Sequence, residues 1–343
     1  MIPICYDLTK QDVLKALGPY NVFLHHFKEK TIRYAINRGY VGQKKMDKSG
    51  TDITMYLDAE EKKLLQWIYK HIDTIANLEA KYMVCFIKTM EETWGITKDT
   101  NDRKRNILYH LFVGCGYEGG AFPKDALIKA VGIDTCPYCN RINVGIVPLR
   151  KIENGKIVTK NVKGQLDHFY SKSLYPYLAI SRNNLVPSCS TCNESPNKFT
   201  EDAVDTNLVS PYMEKNFDTI LFRLDIPVSL YGNKIMGDQI NIKFDYTKNN
   251  NYQRNVYTFG LQELYNVHHK DIVERVYNTF IFTKNDSYQS GIEFLTQDLP
   301  NQQNATYEAF KKACGVVADK NDYRQYILSK LATDIWQQLE TGA

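Results

Sequence analysis

A chain of 343 residues, 43% apolar and 24% charged, is long enough for two or three domains and for a sizeable core without disulfide staples. Its 43 Lys and Arg nearly balance 39 Asp and Glu, a net charge of +4, so contact with nucleic acid must come from local patches rather than bulk charge. No apolar run reaches the roughly 20 residues that cross a bilayer, and MIPICYDLTKQ lacks the basic-then-apolar order of a secretory signal, so a cytoplasmic protein without a membrane partner is expected.

Residues 1–130 read as a helical region. Thr9 with Asp12 predicts a capping arrangement before VLKAL, and YNVFLHHFKEKTIRYAINRG predicts a helix that stops at Gly39. A basic loop follows, GYVGQKKMDKSGTD. Asp58 and Glu61 then predict the start of a long amphipathic helix. Its apolar side passes through Leu64, Leu65, Ile68, Ile72, Ile75 and Tyr82, a stripe suited to core packing. DRKRNILYHLFVG predicts a third helix ending near Gly114, and PKDALIKAVG a short one. The basic clusters Lys44/Lys45/Lys48 and Arg103/Lys104/Arg105 are read as solvated, with contact to a phosphate backbone as the functional alternative. His25/His26 and His268/His269 are neighbours on helical stretches. Adjacent helical positions do not share a face, so these pairs are expected to pack or face solvent rather than hold a metal.

Residues 131–205 change character. RINVGIVPL, ENGK and IVTKNVKGQLDHF read as two β-branched runs around an Asn-Gly turn, which puts Asp167 and His168 near the end of a strand. NNLVPSC reads as a second short extended segment, and a helix should begin after Cys189. Residues 206–343 are mixed: strand-like segments broken at Gly232 and Gly237, then helical GLQELYNVHHKDIVERVYNTFIF and NDYRQYILSKLATDIWQQLE. The fold class expected of the whole is α+β.

Eight cysteines in a cytosolic chain do not suggest a disulfide framework. Cys5, Cys85, Cys115 and Cys314 stand singly and are expected to be small buried hydrophobes. The other four form two C-x-x-C pairs, Cys136/Cys139 and Cys189/Cys192. Each pair sets two thiolates on one side of a tight knuckle, and two knuckles complete a closed, structural Zn²⁺ site. A redox reading needs one pair and leaves the other unexplained.

Between the knuckles lies GQLDHFYSKSLYPYLAISRNNLVPSCSTCN. This stretch resembles the HNH endonucleases, also called ββα-metal or His-Me finger nucleases, in their four-cysteine zinc form. Within that family it is similar to a subgroup found in bacterial anti-phage defence modules, Septu-type and retron-associated. The resemblance covers roughly residues 134–200. It implies a ββα-metal core with a treble-clef-like four-cysteine zinc site at 131–205, between a helical N-terminal region (1–130) and a mixed α/β C-terminal region (206–343). It implies that Asp167 and Asn193 are oxygen ligands of a catalytic Mg²⁺ or Mn²⁺, that His168 is the general base, and that Asn184 braces the loop and orients the histidine. Relatives often carry Pro where this chain has Ser171, and many have a lysine three residues after the last motif position. Lys198 stands slightly farther along, and with Lys172 it is the expected phosphate contact. The implied activity is metal-dependent phosphodiester hydrolysis, in DNA first and RNA as an alternative, for bacterial defence or a mobile element, with a partner ATPase or another defence-module protein. The different-class alternative is a zinc-stabilised nucleic-acid-binding protein without catalysis. The histidine is expected to project toward the phosphate rather than into the core.

Overall fold

The computed structural model describes the chain except residues 43–53, 155, 195–197, 199–200, 219, 247–250, 297–301 and 343, together with the side chains of 251, 292–296 and 302–305. The cluster Lys44/Lys45/Lys48 lies outside the described residues. Helix α1 (Gln11–His26) passes through a π-helical turn, Phe27–Ile32, into α2 (Arg33–Arg38). The run ends at Gly39, whose φ of 74° is left-handed and whose N–H returns to the Ala35 carbonyl. Thr9 does not cap α1. Its hydroxyl donates to Asp7 Oδ1 at 2.6 Å, and Lys10 holds the N-cap position with no side-chain bond. A local Asx turn has captured the residue that the cap would have used.

The two-residue strands β1 (Tyr40–Val41) and β2 (Met55–Tyr56) pair antiparallel and lead to α3 (Ala59–Ala76). Here the expected start is present: Asp58 accepts from Glu61 N–H while the Glu61 carboxylate accepts from Asp58 N–H, a full capping box. Leu64, Leu65, Ile68, Ile72 and Ile75 are buried. Tyr82 does not belong to this stripe. Helix α3 stops at Ala76, and Tyr82 is exposed on the next helix, α4 (Ala80–Trp94). The break has a tertiary cause. The carbonyls that a continuing helix would have bonded internally are taken by donors from elsewhere: Ser181 Oγ on Ile75 (2.7 Å), Tyr20 hydroxyl on Ala76 (3.0 Å) and Asn183 Nδ2 on Leu78 (2.9 Å).

Helix α5 (Arg103–Leu108) continues as a π-helical stretch, Tyr109–Tyr117, so it passes Gly114 rather than ending there. Buried Leu111, Phe112 and Val113 carry it forward. Arg103 of the basic cluster is exposed as expected, Lys104 is half-buried and Arg105 is buried, and each has a protein partner. Arg103 pairs with buried Glu61 at 2.7 Å, Lys104 donates to the Trp94 carbonyl, and buried Arg105 donates to the Ser173 carbonyl. After α6 (Lys124–Val131), strands β3 (Val147–Glu153) and β4 (Lys156–Val162) form an antiparallel hairpin, with Asn154 left-handed at its tip. The Asp–His pair lies on a further strand, β5 (Gln165–His168), which pairs with β6 (Leu185–Ser188) rather than with the hairpin. Gly164 separates β4 from β5: a Cβ there would stand 2.6 Å from Val144 Cβ and 2.9 Å from the Ser188 carbonyl, so only glycine lets the chain cross. The single-turn α7 (Ser190–Asn193) follows.

The C-terminal region pairs β7 (Leu221–Asp225) with β8 (Asn241–Asp245) and adds helices α8 (Asn251–Thr258), α9 (Leu261–His268), α10 (Lys270–Thr283), α11 (Asp286–Thr296), α12 (Gln302–Ala313) and α13 (Ser329–Thr341), of which α9 packs on β8. Helix α13 packs on β7 and α10, and buried Asp334 accepts from Phe222 N–H and Lys330 Nζ. His269 interrupts the expected single helix between α9 and α10. Apolar packing runs continuously from Ile4 to Trp336. Three of the four single cysteines depart from expectation: Cys5, Cys85 and Cys115 are exposed, and only Cys314 is buried.

Candidate functional site

Cys136, Cys139, Cys189 and Cys192 converge in the fold. All four are buried, and their Sγ atoms lie within 4.8 Å of one another, with Cys139 and Cys189 at 3.9 Å. A tetrahedral zinc–thiolate site has sulfur–sulfur edges of about 3.8 Å, so the donor set fits a zinc ion. The local backbone is built to present it. Asn140 takes a left-handed φ of 52°, its N–H returns to the Cys136 carbonyl at 2.7 Å, and Cys189 N–H points at Cys136 Sγ at 3.5 Å. Sulfur crowding pushes the Cys139 and Cys192 thiols well up and Cys189, which accepts from its neighbours, down. A cation would remove that conflict by favouring the thiolate at every position. Three distant segments grip the first knuckle: Ile2 N–H on the Pro137 carbonyl, Tyr265 hydroxyl on the Cys139 carbonyl, and Leu328 N–H on the Asn140 carbonyl.

One residue inside that knuckle reaches outward. Tyr138 is buried, stacks on Phe259 with centroids 4.3 Å apart, and donates its hydroxyl to Asp167 Oδ2 at 2.5 Å. Asp167 Oδ1 accepts from Lys198 Nζ at 2.9 Å, and the same ammonium donates to the His168 carbonyl. Lys198 is therefore 4% exposed and committed to a buried ion pair rather than offered to a phosphate. Its usual solvation is replaced by a carboxylate and a carbonyl that together satisfy it.

His168 is the last residue of β5. Neighbours on a regular strand face opposite ways, yet the strand ends here and both Asp167 and His168 line one cleft of about 840 Å³. The histidine does not project freely toward solvent. It is 9% exposed, its ring meets Tyr117 edge-on at 4.4 Å, and Nε2 lies 2.9 Å from the Ala179 carbonyl. A carbonyl oxygen only accepts, so Nε2 carries the proton and Nδ1 keeps the lone pair. Burial first, and then the charges of Lys172, Lys198 and Lys124, push its pKa down to about 3.

Asn184 is fully buried and holds the loop that supplies Ala179. Its Oδ1 accepts from Tyr170 N–H (2.7 Å), and its Nδ2 donates to the carbonyls of Tyr170 (3.0 Å) and Leu178 (3.1 Å). Asn193, at the end of α7, lines the same cleft and donates Nδ2 to Gln165 Oε1. Lys172 also lines it, paired with Glu118 and lying over the Tyr117 ring. The fold thus gathers Asp167, His168, Asn193, Lys172 and Lys198 at one cleft, with Asn184 behind it. The histidine pairs lie elsewhere: His25, His26 and His268 are exposed, and His269 accepts from Arg141 Nε at 2.8 Å.

Residues not singled out from the sequence complete the cleft. Tyr117, Lys124 and Lys163 line it, and Tyr138 anchors the carboxylate. Of these only Tyr138 carried a signal, its position inside C-P-Y-C. Comparison with protein-family models, with curated proteins and with solved structures gives no match. Among the described residues no helix is long and apolar enough to cross a membrane.

Proposed function

We propose that the chain is a metal-dependent phosphodiesterase of the HNH type that cuts DNA, with its four cysteines holding one structural zinc ion. The observation that carries the reading is the tautomer of His168. With Nε2–H donated to the Ala179 carbonyl, Nδ1 is the basic atom, and it belongs to a residue lining a lysine-rich cleft beside a carboxylate. That is the arrangement needed to take a proton from water next to a phosphodiester. Burial keeps the imidazole neutral at pH 7. An arriving phosphodiester sets negative charge against Lys124 and Lys172, relieves their repulsion of a protonated imidazole, and raises the basicity of His168 as substrate binds.

Asp167 and Asn193 supply oxygen donors of the type that hard divalent cations such as Mg²⁺ and Mn²⁺ prefer. The donor set has room for one. An ionised carboxylate offers about four acceptor sites, and Tyr138 and Lys198 take one on each oxygen of Asp167. When bound, the cation would stabilise charge on the phosphate and the leaving oxygen. Asn184 keeps Ala179, and through it the histidine ring, in place. One observation favours the non-catalytic alternative: Lys198 already balances the charge of Asp167.

Purified protein incubated with plasmid DNA and with RNA, in Mg²⁺ or Mn²⁺, separates the readings. Wild type should cut DNA, and His168→Ala should fall by about 10²- to 10⁴-fold with zinc retained. Binding without cutting of either polymer would favour the alternative, and cutting of RNA alone would change the substrate. The resemblance further suggests service in bacterial defence or a mobile element beside a partner ATPase, which the neighbouring genes would reveal.

A further inference from the structure

The hairpin β3–β4 stands apart from the rest of the molecule. All seven residues of β3 and six of the seven in β4 are exposed, so neither face packs on the body. A two-stranded hairpin alone in water is at best marginally stable. This one also leaves Val147, Leu149, Ile152, Ile157 and Val162 exposed, with the cross-strand pair Ile152 and Ile157 at 78% and 73% near the tip. Its polar positions are strongly biased. Arg150, Lys151, Lys156 and Lys160 face a single acidic residue, Glu153, which pairs with Lys160. The root is fixed next to the cleft: Asn161 and Lys163 both bond the Asp125 carboxylate, and Lys163 itself lines the cleft that holds His168. A neighbouring cavity of about 650 Å³ shares Tyr117, Lys124 and Lys163 and adds Lys15 and Lys129, so its lysines outnumber its two carboxylates, Glu118 and Asp125, around the root.

We propose that this hairpin is a β-ribbon that enters the major groove of B-form duplex DNA and presents the duplex to the cleft, an inference that rests on the hydrolase reading above. The shape argues for a duplex. Two paired strands of seven residues make a ribbon about 23 Å long, and the B-DNA major groove, about 12 Å wide, admits a two-stranded ribbon. The composition argues against single strands, because residues 147–162 contain no aromatic side chain on which a base could stack. It argues against duplex RNA as well, whose A-form major groove is too deep and narrow for side chains to read. Arg150, on the same ribbon face as the pair Ile152 and Ile157, would meet base edges while the two isoleucines meet thymine methyl groups, and Lys151 and Lys156, on the opposite face, would reach sideways to the flanking phosphates. The charge bias selects a polyanion over a second copy of this chain, whose own ribbon would repel it.

The test is equilibrium binding by fluorescence anisotropy, without added divalent cation, using a short DNA duplex, the matching single strand and the matching RNA duplex. The full-length triple variant Arg150→Gln/Lys151→Gln/Lys156→Gln is compared with wild type, and all three positions are exposed, so folding should be unaffected. Wild type should prefer the DNA duplex. The variant should lose more than about tenfold in affinity, and its slope of log affinity against log salt should shrink by roughly two to three. Ile152→Ser/Ile157→Ser should weaken duplex binding with the salt slope unchanged. Equal binding by wild type and the triple variant would overturn the proposal. So would ribbon variants whose only effect is on self-association in sedimentation. Because binding is read without cleavage, a wild type that binds duplex through the ribbon yet never cuts would sink the hydrolase reading alone. A wild type that cuts while the triple variant binds equally well would sink the ribbon alone.

Discussion

Replacing Asn184 with alanine isolates the bracing role from the chemistry. The side chain is fully buried, and its removal strands the N–H and the carbonyl of Tyr170, while the Leu178 carbonyl loses one donor and keeps the Ser181 N–H at 3.1 Å. A buried polar group left without a partner costs about 1–3 kcal/mol. A water entering the void, which is lined by polar atoms, recovers part of that, so with two groups stranded the net loss should be roughly 2–4 kcal/mol. Urea denaturation with matched zinc content measures it as a fall in midpoint at constant slope. Cleavage should fall too, since the released loop carries the Ala179 carbonyl that fixes the His168 ring. Asn184→Asp sharpens the comparison. It keeps the acceptor for Tyr170 but sets an anionic oxygen against two carbonyls, which raises the folded pKa of the new carboxyl. Its deficit relative to wild type should therefore shrink as pH falls and the acid protonates and can donate. A loss below about 1 kcal/mol for Asn184→Ala would refute the bracing argument.

Purified protein should carry one zinc per chain by metal analysis. Cys189→Ser or prolonged chelation should lower both zinc content and thermal midpoint, because a structural metal contributes folding free energy directly; intact folding without zinc would reject the site. Lys198→Met leaves Asp167 buried without its counter-charge and should destabilise by about 3–5 kcal/mol. Mn²⁺ should restore more stability to that variant than it adds to wild type in a thermal-shift titration; if Mn²⁺ moves neither, Asp167 is not a cation ligand. His168 has its folded pKa lowered to about 3 from an ordinary 6.5, so below pH 6.5 the unfolded chain binds the extra proton. Stability should then drop as pH falls from 6.5 toward 3, and His168→Gln should flatten that part of the curve; an unchanged slope would count against a neutral buried imidazole.

What could be read from the sequence was what local spacing controls. The two C-x-x-C knuckles, the Asp58/Glu61 capping box and the strand ending at His168 each depend on residues a few positions apart. What escaped depends on distant partners. Nothing near Ala76 marks a helix end as firmly as Ser181, Asn183 and Tyr20 do, and they arrive from far along the chain. Lys198 reads as a solvated or phosphate-binding cation until Asp167 is seen closing over it. Arg105 reads as surface charge until its bond to the Ser173 carbonyl shows it buried. The link from Tyr138 to Asp167 joins the zinc knuckle to the cleft across 29 residues and has no local signature beyond a tyrosine between two cysteines.

Chemical rescue tests the central claim most directly. His168→Gly removes the imidazole but leaves a cleft that a free imidazole can enter. In Mg²⁺, with zinc content matched to wild type, this variant should cut duplex DNA at least about 10²-fold more slowly. Added imidazole should restore cleavage in proportion to its neutral form as pH is varied. A His168→Gly protein that cuts at the wild-type rate with no imidazole present would contradict the assignment of His168 as the base.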